Sequence, residues 1–352
     1  MSGSKVVVIG AGLAGLVAAR NLIARGHEVA VLEARARVGG RAVSLPAGQG
    51  AVDLGPAWIW PGAQPNVCTL LNDLGLMTLP QFEDGIFVYE TAQGLQRGNV
   101  PKRYGDAARI RGGVGALANA LYAALPPGSL HFDQAVSALD LTGNPQITTA
   151  NGITWSGDVI INTAPPPIAA TWDVIPAWTA PLQMAMTRWP TWMAAHAKVV
   201  ALYDSPFWRE AELSGSAVSQ IGPLVEIADQ SDPDLGQFGL FGFVGWPFTQ
   251  RQDQVALRDA TLAQLARLFG PQAANPKTLR IMDWAAEPFT ATKADQTPPM
   301  GHPPYGAPEL SHVICDRLLF AGAEVSQRHG GLIEGAIETG LDAARKAATL
   351  LN

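Results

Sequence analysis

The stretch VVVIGAGLAGLVAARNLIARGHEVAVLEA, residues 6–34, constrains the fold more than any other part of this chain. The apolar run Lys5–Ile9 is typical of a strand buried on both faces of a parallel sheet. A glycine-rich turn follows, then a helix predicted from Leu13 to about residue 25, and then a second apolar run over Glu28–Leu32. This order predicts a strand–helix–strand unit and therefore an α/β domain with a parallel sheet.

The turn of this unit carries the pattern G-x-G-x-x-G. The first glycine allows a tight turn, the second lets a pyrophosphate approach the main chain, and the third lets the helix pack closely on the strand. The second strand ends at an acid, where a carboxylate can bind ribose hydroxyls and disfavours the extra phosphate of NADP. We therefore predict a dinucleotide site around this turn, formed by Gly10, Gly12, Leu13, Ala14, Gly15, Glu33 and Ala34.

A second cluster, EARARVGGRA, follows directly and bears on which dinucleotide is bound. Arg35 and Arg41 can meet phosphate oxygens, and Gly39 and Gly40 let the main chain come close to a ligand. A nicotinamide dehydrogenase has no need of this cluster, so it favours a resident flavin dinucleotide. The alternative is a solvated basic loop.

Together these motifs resemble the FAD-dependent amine oxidases, the family of the monoamine and polyamine oxidases. The chain is also similar to renalase-like proteins and carotenoid desaturases. Three further stretches are similar to that family: VDLGPAWIWP at 52–61, KVVALYDSPFWR at 198–209, and the closing stretch RLLFAGAEVSQRHGGLIEGAIETGLDAARKAA at 317–348. The resemblance is strong at both ends of the chain and sparse between about residues 62 and 195.

The resemblance implies further contacts with FAD. The FAD is expected to be noncovalent, because no cysteine lies near WAAEPFTATKADQ at 284–296. Glycines at the start of the last helix let its N-terminus approach the flavin and stabilise negative charge there. From the residues alone, Glu324 could equally be an ordinary loop acid. The implied FAD contacts are Gly55, Pro56, Ala57, Trp58, Val136, Trp284, Gly322, Glu324, Gly331, Leu332 and Ile333.

Lys198 is the one catalytic residue that the resemblance implies, acting beside flavin N5. The alternative is a strand lysine whose head reaches solvent. The family often holds its amine between two aromatic rings, and Leu332 and Phe289 correspond to those positions, so one ring is missing. Trp60, Trp246 and His329 are further candidates for substrate contact.

The fold expected from these segments is α/β, with a Rossmann-type FAD-binding domain built from residues 1–78, 105–166 and 308–352. Residues 79–104 and 167–307 are expected to form a substrate-binding domain with a mixed sheet and helices. Larger amine oxidases insert a long helical segment after the first FAD piece, and here that excursion is short. The resemblance therefore implies a smaller or more open substrate cavity.

Composition excludes several classes of function. The net charge of -6 argues against a nucleic-acid surface. The chain has no apolar run long enough for a membrane span, and its first strand begins too early for a signal peptide. Six histidines lack metal-ligand spacing, and the two cysteines fit reduced packing residues. We expect a cytoplasmic protein whose oligomeric state is open.

The function implied by the resemblance is oxidation of the C–N bond of a small amine to an imine. Hydride would pass to flavin N5, and O2 would be the acceptor, giving H2O2. A renalase-like or desaturase-like oxidation of a ring or a C–C bond, and a non-catalytic FAD-binding protein, remain alternatives. Glu226 or Asp229 would suit a cationic amine, and Arg188 or Arg251 would suit a carboxylate substrate.

Overall fold

The computed structural model describes residues 4–352, and the three larger of its five sheets organise this part of the chain. The helices are α1 (Leu13–Ala24), α2 (Pro65–Asp73), α3 (Val114–Ala123), α4 (Pro166–Ala169), α5 (Ala180–Thr187), α6 (Phe207–Glu210), α7 (Gln254–Phe269) and α8 (Ile333–Leu350). The strands are β1 (Lys5–Ile9), β2 (Glu28–Leu32), β3 (Ser44–Ala47), β4 (Gly50–Asp53), β5 (Thr78–Pro80), β6 (Ile86–Thr91), β7 (Gly94–Gly98), β8 (Ala108–Ile110), β9 (Leu130–His131), β10 (Val136–Asp140), β11 (Gln146–Thr149), β12 (Thr154–Ser156), β13 (Val159–Asn162), β14 (Asp173–Ile175), β15 (Ala197–Leu202), β16 (Leu213–Ser219), β17 (Leu224–Asp229), β18 (Gly239–Val244), β19 (Thr278–Asp283) and β20 (Leu318–Phe320).

The first sheet has the order β20-β13-β1-β2-β9, and all of its pairings are parallel. Its central strand β1 is buried from Val6 to Ile9, as the continuous apolar run predicted. Helices α1, α3 and α8 cover one face through a shared apolar core. On α8, a Cβ at Gly340 would lie 2.5 Å from the carbonyl oxygen of Ala14, so this glycine lets α8 pack against α1.

The other face of the parallel sheet packs against a four-stranded sheet of order β12-β11-β10-β14 and against α5. Strands β11 and β12 form a hairpin whose turn contains Asn151-Gly152, and Gly152 has a φ of 82°. The predicted α/β fold with a parallel sheet is therefore confirmed.

The third sheet has seven strands in the order β19-β15-β18-β17-β16-β6-β7. It is mixed, because β16 and β6 run parallel while the other pairs are antiparallel. Helix α7 covers one face of it, and the opposite face carries Val200 and Phe241 and packs toward Trp58. This sheet contains strands from residues 86–98 and from residues 197–283, both of which belong to the predicted substrate-binding domain. Strand β14, from the same predicted domain, pairs instead with β10 in the four-stranded sheet. The domain limits stay a prediction.

Two further features of residues 4–352 bear on function. None of the helices is long and apolar enough to cross a membrane. Cys68 and Cys315 are both free thiols.

Candidate active site

One cavity of about 400 Å³ is lined by residues from the parallel sheet and from the seven-stranded sheet. It brings together most of the residues that the sequence predicted for the cofactor and the substrate. They come from distant parts of the chain and meet where β1 and β2 end. The predicted residues that line the cavity are Gly10, Gly12, Leu13, Ala14, Glu33, Ala34, Arg35, Gly39, Gly40, Arg41, Gly55, Pro56, Ala57, Trp58, Trp60, Val136, Lys198, Trp284, Phe289, Gly322, Gly331, Leu332 and Ile333.

The glycine turn before α1 opens onto this cavity. A Cβ built at Gly12 would meet nothing within 4 Å, whereas one at Gly15 would lie 2.0 Å from the carbonyl oxygen of Gly10. Gly12 therefore leaves room for a ligand, while Gly15 does not line the cavity and serves helix packing. No side chain caps α1, so the N–H groups of its first turn remain available to an anion.

Glu33 closes the same end of the cavity and is buried. Its Oε2 accepts a hydrogen bond of 2.8 Å from the Ala11 N–H, and its Oε1 accepts one of 2.9 Å from the Arg35 N–H. The carboxylate thus joins the glycine turn to the loop after β2. It faces the cavity where the sequence placed the ribose contact.

The two arginines of the second cluster are held by carboxylates. Arg35 donates to Glu287 at 2.9 Å and to Thr290 at 2.8 Å. Arg41 makes two parallel hydrogen bonds to Glu324, of 2.6 and 2.9 Å. These side chains line the cavity, but their guanidinium groups already have anionic partners, which the sequence reading did not anticipate.

Glu324 is buried and is not part of the cavity lining. Burial opposes its ionisation, but the adjacent Arg41 guanidinium outweighs burial and lowers the pKa of Glu324. The predicted contact between Glu324 and FAD stays a prediction. Its observed role is to hold Arg41 and to accept the Trp192 N–H at 3.0 Å.

Lys198 lies within β15, and its side chain is 2% exposed. Its Nζ donates to the carbonyl oxygen of Gly55 at 3.0 Å and lies 3.9 Å from the centre of the Phe241 ring. The alternative reading, a lysine with its head in solvent, is wrong, because the ammonium group is buried at the cavity wall. Burial lowers the pKa of Lys198 to about 7, with Asp53 opposing and Arg109 adding to that shift.

Asp53 is a buried carboxylate that the sequence reading did not single out. Its Oδ1 accepts from the Ser44 hydroxyl at 2.6 Å and from the Val114 N–H at the start of α3 at 2.7 Å. Burial raises the pKa of Asp53 to about 6, while the Lys198 charge opposes this rise. Lys198 and Asp53 are therefore two buried groups of opposite charge, and burial moves the pKa of each toward neutrality while their attraction opposes that shift.

Aromatic side chains surround the part of the cavity near Lys198. Trp58 stacks on Tyr104 at 4.4 Å, and its Nε1 donates to Gln81 at 2.8 Å. The Trp284 Nε1 donates to the Leu54 carbonyl oxygen at 3.1 Å. These bonds fix the rings in place. Other lining residues that the sequence reading missed are Gln64, Trp172, Trp192, Met193, His196 and Phe243.

The last helix reaches the cavity at its N-terminus. Helix α8 begins at Ile333, its N-cap residue Leu332 provides no side-chain hydrogen bond, and Gly331 has a φ of 77°. A Cβ at Gly331 would lie 2.7 Å from the Trp192 ring, so glycine is required here for close packing. The uncapped N–H groups can stabilise an anionic group in the cavity.

The structure does not place every predicted substrate residue near Lys198. Arg35 lies 5.4 Å from the centre of the Phe289 ring, so this ring borders the Glu33 end of the cavity. Trp246 packs against the core beneath α7, and His329 contacts Glu338 at 3.2 Å. Neither Trp246 nor His329 lines the cavity.

The charged side chains that the sequence offers for substrate selection also lie elsewhere. Asp229 pairs with Arg209, Glu226 accepts from Tyr104, and Arg251 pairs with Asp283. None of these residues lines the cavity, nor does Arg188. Its charged lining within residues 4–352 consists of Glu33, Arg35, Arg41 and Lys198. Groups of three or more metal-ligating side chains are also lacking in that part of the chain.

The chain is similar to known flavoproteins over almost its whole length. The sequence profile described as flavin containing amine oxidoreductase matches residues 13–105 and 88–348. An L-amino acid dehydrogenase from Synechocystis sp. is 25% identical, over 98% of this chain and 95% of that protein. A putrescine oxidase from Kocuria rosea is 47% identical over 26% of this chain and 19% of its own length.

Solved structures show the same fold. Wild-type putrescine oxidase bound to putrescine superposes with a TM-score of 0.82 at 19% identity, covering 98% of this chain and 99% of that one. The alignment with the Synechocystis protein extends over 452 positions, although this chain has 352 residues. That relative therefore carries stretches that this chain lacks.

Proposed function

Because this chain belongs to the family of flavin containing amine oxidoreductases, we propose that it is an FAD-dependent oxidase of small amines. It is a flavin-dependent oxidoreductase, and the proposal adds the reaction. The C–N bond of the amine is oxidised to an imine, and O2 accepts the electrons and becomes H2O2. The observation that carries the proposal is the single cavity that joins the glycine turn and Glu33 to the buried Lys198.

The residues present at the cavity fit FAD. The open space beyond Gly12 and the uncapped first turn of α1 suit a pyrophosphate. Glu33 suits ribose hydroxyls. The uncapped N-terminus of α8 suits the end of the flavin that becomes anionic on reduction. Neither Cys68 nor Cys315 lines the cavity, which supports noncovalent binding.

When bound, the flavin supplies the redox chemistry by accepting a hydride and passing electrons to oxygen. The protein supplies the environment. Trp58, Trp60 and Trp284 give the Lys198 end of the cavity an apolar wall that binds the body of the amine and excludes water. The Lys198 ammonium group stabilises the negative charge that develops when oxygen is reduced.

The cavity lining also favours one class of amine. A diamine would need a carboxylate for its second ammonium group, but the carboxylate in the lining, Glu33, lies at the nucleotide end. An amino acid would need a free guanidinium group, but Arg35 and Arg41 are paired with Glu287 and Glu324. We therefore propose a monoamine with an apolar body as the substrate.

A substrate panel tests this proposal. The purified holoprotein is incubated with benzylamine, cyclohexylamine, putrescine and L-leucine, and H2O2 is measured together with the aldehyde or ketone product. We expect peroxide with benzylamine or cyclohexylamine and little with putrescine or L-leucine. Turnover that requires an artificial electron acceptor would make the protein a dehydrogenase. Absence of turnover with every amine under both conditions would overturn the proposal.

A further inference from the structure

Trp192 stands at the start of a stretch of chain that forms one wall of the cavity. The residues of this stretch that line the cavity are Trp192, Met193, His196, Ala197 and Lys198. The wall therefore runs from the indole ring to β15, where Lys198 is found. Its sequence from 192 to 198, WMAAHAK, contains no acidic side chain, so it offers an amine an apolar boundary rather than a counter-ion.

The Trp192 ring lies at the end of the cavity where α8 begins. A Cβ built at Gly331 would be 2.7 Å from the ring, so the indole packs directly on the main chain before α8. Leu332 and Ile333, the next two residues, also line the cavity. The uncapped N-terminus of α8 is the part of the cavity that suits the flavin ring. Trp192 therefore borders the space in which a substrate must approach the flavin.

The main chain of Trp192 is held on both sides by one ion pair. Its N–H donates to Glu324 at 3.0 Å, and its carbonyl oxygen accepts from Arg41 at 3.2 Å. Arg41 and Glu324 also bond each other at 2.6 and 2.9 Å. The preceding Thr191 N–H donates to the buried Asp295 at 2.6 Å. These contacts come from three distant segments, so they fix the place from which the ring projects.

The ring is also supported from the side that faces away from the cavity. The exposed His302 stacks on Trp192 with ring centres 4.5 Å apart, and Tyr305 meets it edge-on at 6.5 Å. Neither of these two side chains lines the cavity. The Tyr305 hydroxyl donates to the Pro190 carbonyl oxygen at 2.7 Å, and a ring nitrogen of His302 is 2.9 Å from the Gly330 carbonyl oxygen. The indole therefore separates the cavity from solvent and cannot retreat without breaking this packing.

We propose that Trp192 determines substrate specificity by setting the largest amine body that can lie beside the flavin, an inference that rests on the amine oxidase function proposed above. A fixed ring cannot make room for a wider substrate, and cores that are forced to accept extra atoms are destabilised. In a hydrophobic pocket one methylene group already changes kcat/KM by about 10–200-fold. The wall should therefore admit an amine with a single ring and reject its fused-ring homologue.

A matched pair of amines tests this limit. The better substrate of benzylamine and cyclohexylamine is compared with its fused-ring homologue, 1-naphthylmethylamine or decahydronaphthalen-1-amine, at saturating FAD. The variants are Trp192→Ala, which removes the ring, and Trp192→Phe, which keeps a smaller ring on the same main chain. The matched control is Trp246→Ala, because Trp246 is also half-buried but does not line the cavity.

We expect the ratio of kcat/KM for the fused-ring amine to kcat/KM for the single-ring amine to rise at least about tenfold in Trp192→Ala. Trp192→Phe should give a ratio between those of Trp192→Ala and the wild type. Trp246→Ala should keep the wild-type ratio, since it loses the same side chain outside the cavity. A general loss of stability would lower both values of kcat/KM together and would leave their ratio unchanged.

Binding without turnover gives a second readout. The probes are 2-phenylpropan-2-amine and 2-(naphthalen-1-yl)propan-2-amine, which have no hydrogen on the amine carbon and so cannot be oxidised to an imine. Their Kd values for the holoprotein are measured from the change in flavin absorption. Trp192→Ala should favour the naphthyl probe over the phenyl probe by at least about tenfold more than the wild type does. The kinetic ratio decides alone if the wild type binds neither probe.

Two results overturn the inference and leave the oxidase function intact. One is a wild type that oxidises the fused-ring amine as well as the single-ring amine. The other is an unchanged kinetic ratio in Trp192→Ala, or in Trp192→Phe if the alanine variant does not retain FAD. Failure of the wild type to oxidise any amine overturns both the inference and the proposed function.

Discussion

Replacing Lys198 with methionine removes the charge of this residue but keeps most of its bulk. We expect slower turnover and an equal or higher free energy of unfolding. Methionine keeps most of the length of the side chain. The reaction of the reduced enzyme with oxygen should slow by about 10²–10³, the usual effect of removing one preorganised electrostatic partner. Reduction by the amine should change less, because it does not build negative charge on oxygen.

The effect of Lys198→Met on stability can be worked from its surroundings. Burial takes the pKa of Lys198 from its usual 10.5 to about 7. At about 1.4 kcal/mol per pKa unit, holding the buried cation costs at most roughly 5 kcal/mol below pH 7. Loss of the hydrogen bond to the Gly55 carbonyl oxygen costs about 1–3 kcal/mol, and loss of the contact with the Phe241 ring costs about 1–2 kcal/mol. The variant should therefore be as stable as the wild type or more so.

The sign of the pH dependence follows from the same pKa. The unfolded chain keeps the lysine proton up to about pH 10.5, whereas the native protein loses it above about 7. Wild-type stability should therefore gain a contribution as pH rises through this window, and Lys198→Met should lack it. The advantage of the variant is largest below pH 7.

Stopped-flow reoxidation at pH 6.5, where Lys198 carries its charge, and thermal unfolding with saturating FAD at pH 6.5 and pH 9.5 check both halves of this prediction. Lys293→Met is the matched control, because Lys293 is exposed and does not line the cavity. The account of Lys198 is refuted by a wild-type rate of reoxidation in Lys198→Met at pH 6.5. A loss of several kcal/mol of stability in Lys198→Met would show that the buried ammonium group stabilises the fold.

Three further predictions concern the cofactor and the wall of its cavity. Glu33→Gln removes the negative charge that suits the ribose hydroxyls, so FAD retention should fall by about 1.5–3 kcal/mol, measured by flavin fluorescence on dilution; unchanged affinity contradicts this. Gly331→Ala places a Cβ 2.7 Å from the Trp192 ring and should lower the melting temperature more than the control Gly26→Ala. Gly26 also has a positive φ, but the space around it is open. Equal losses in the two variants would mean that the contact with Trp192 does not matter. Acid precipitation should release all the FAD into the supernatant, and flavin that stays with the pellet would show a covalent bond.

The nucleotide half of the cavity was predictable because its signals are local. Strand β1, the glycine turn and the acid at Glu33 lie within one short stretch, and each has a physical reason that depends only on its neighbours. The strands β15, β17 and β18 could be read from their apolar runs in the same way. Helix α7 was missed, although Asp253 before it is an N-cap that accepts from the Ala256 N–H at 2.9 Å.

The parts that could not be predicted depend on contacts between distant residues. The partners of Arg35 and Arg41 lie 252 and 283 positions further along the chain, so a reading of local sequence assigned both arginines to phosphate. Asp53 lies within VDLGPAWIWP, but nothing in that stretch marks its carboxylate, and His196 belongs to no motif. Only the packing of the seven-stranded sheet against the FAD segments brings the charge of Lys198 close to Asp53 and places His196 in the cavity lining.

The most direct test of the proposed function follows the flavin absorption of the purified protein without oxygen. Adding benzylamine or cyclohexylamine should bleach the flavin bands, and admitting oxygen should restore them with formation of H2O2 equal to the amine consumed. Bands that no amine bleaches would contradict the account, and bleaching that oxygen cannot reverse would restrict it to a dehydrogenase.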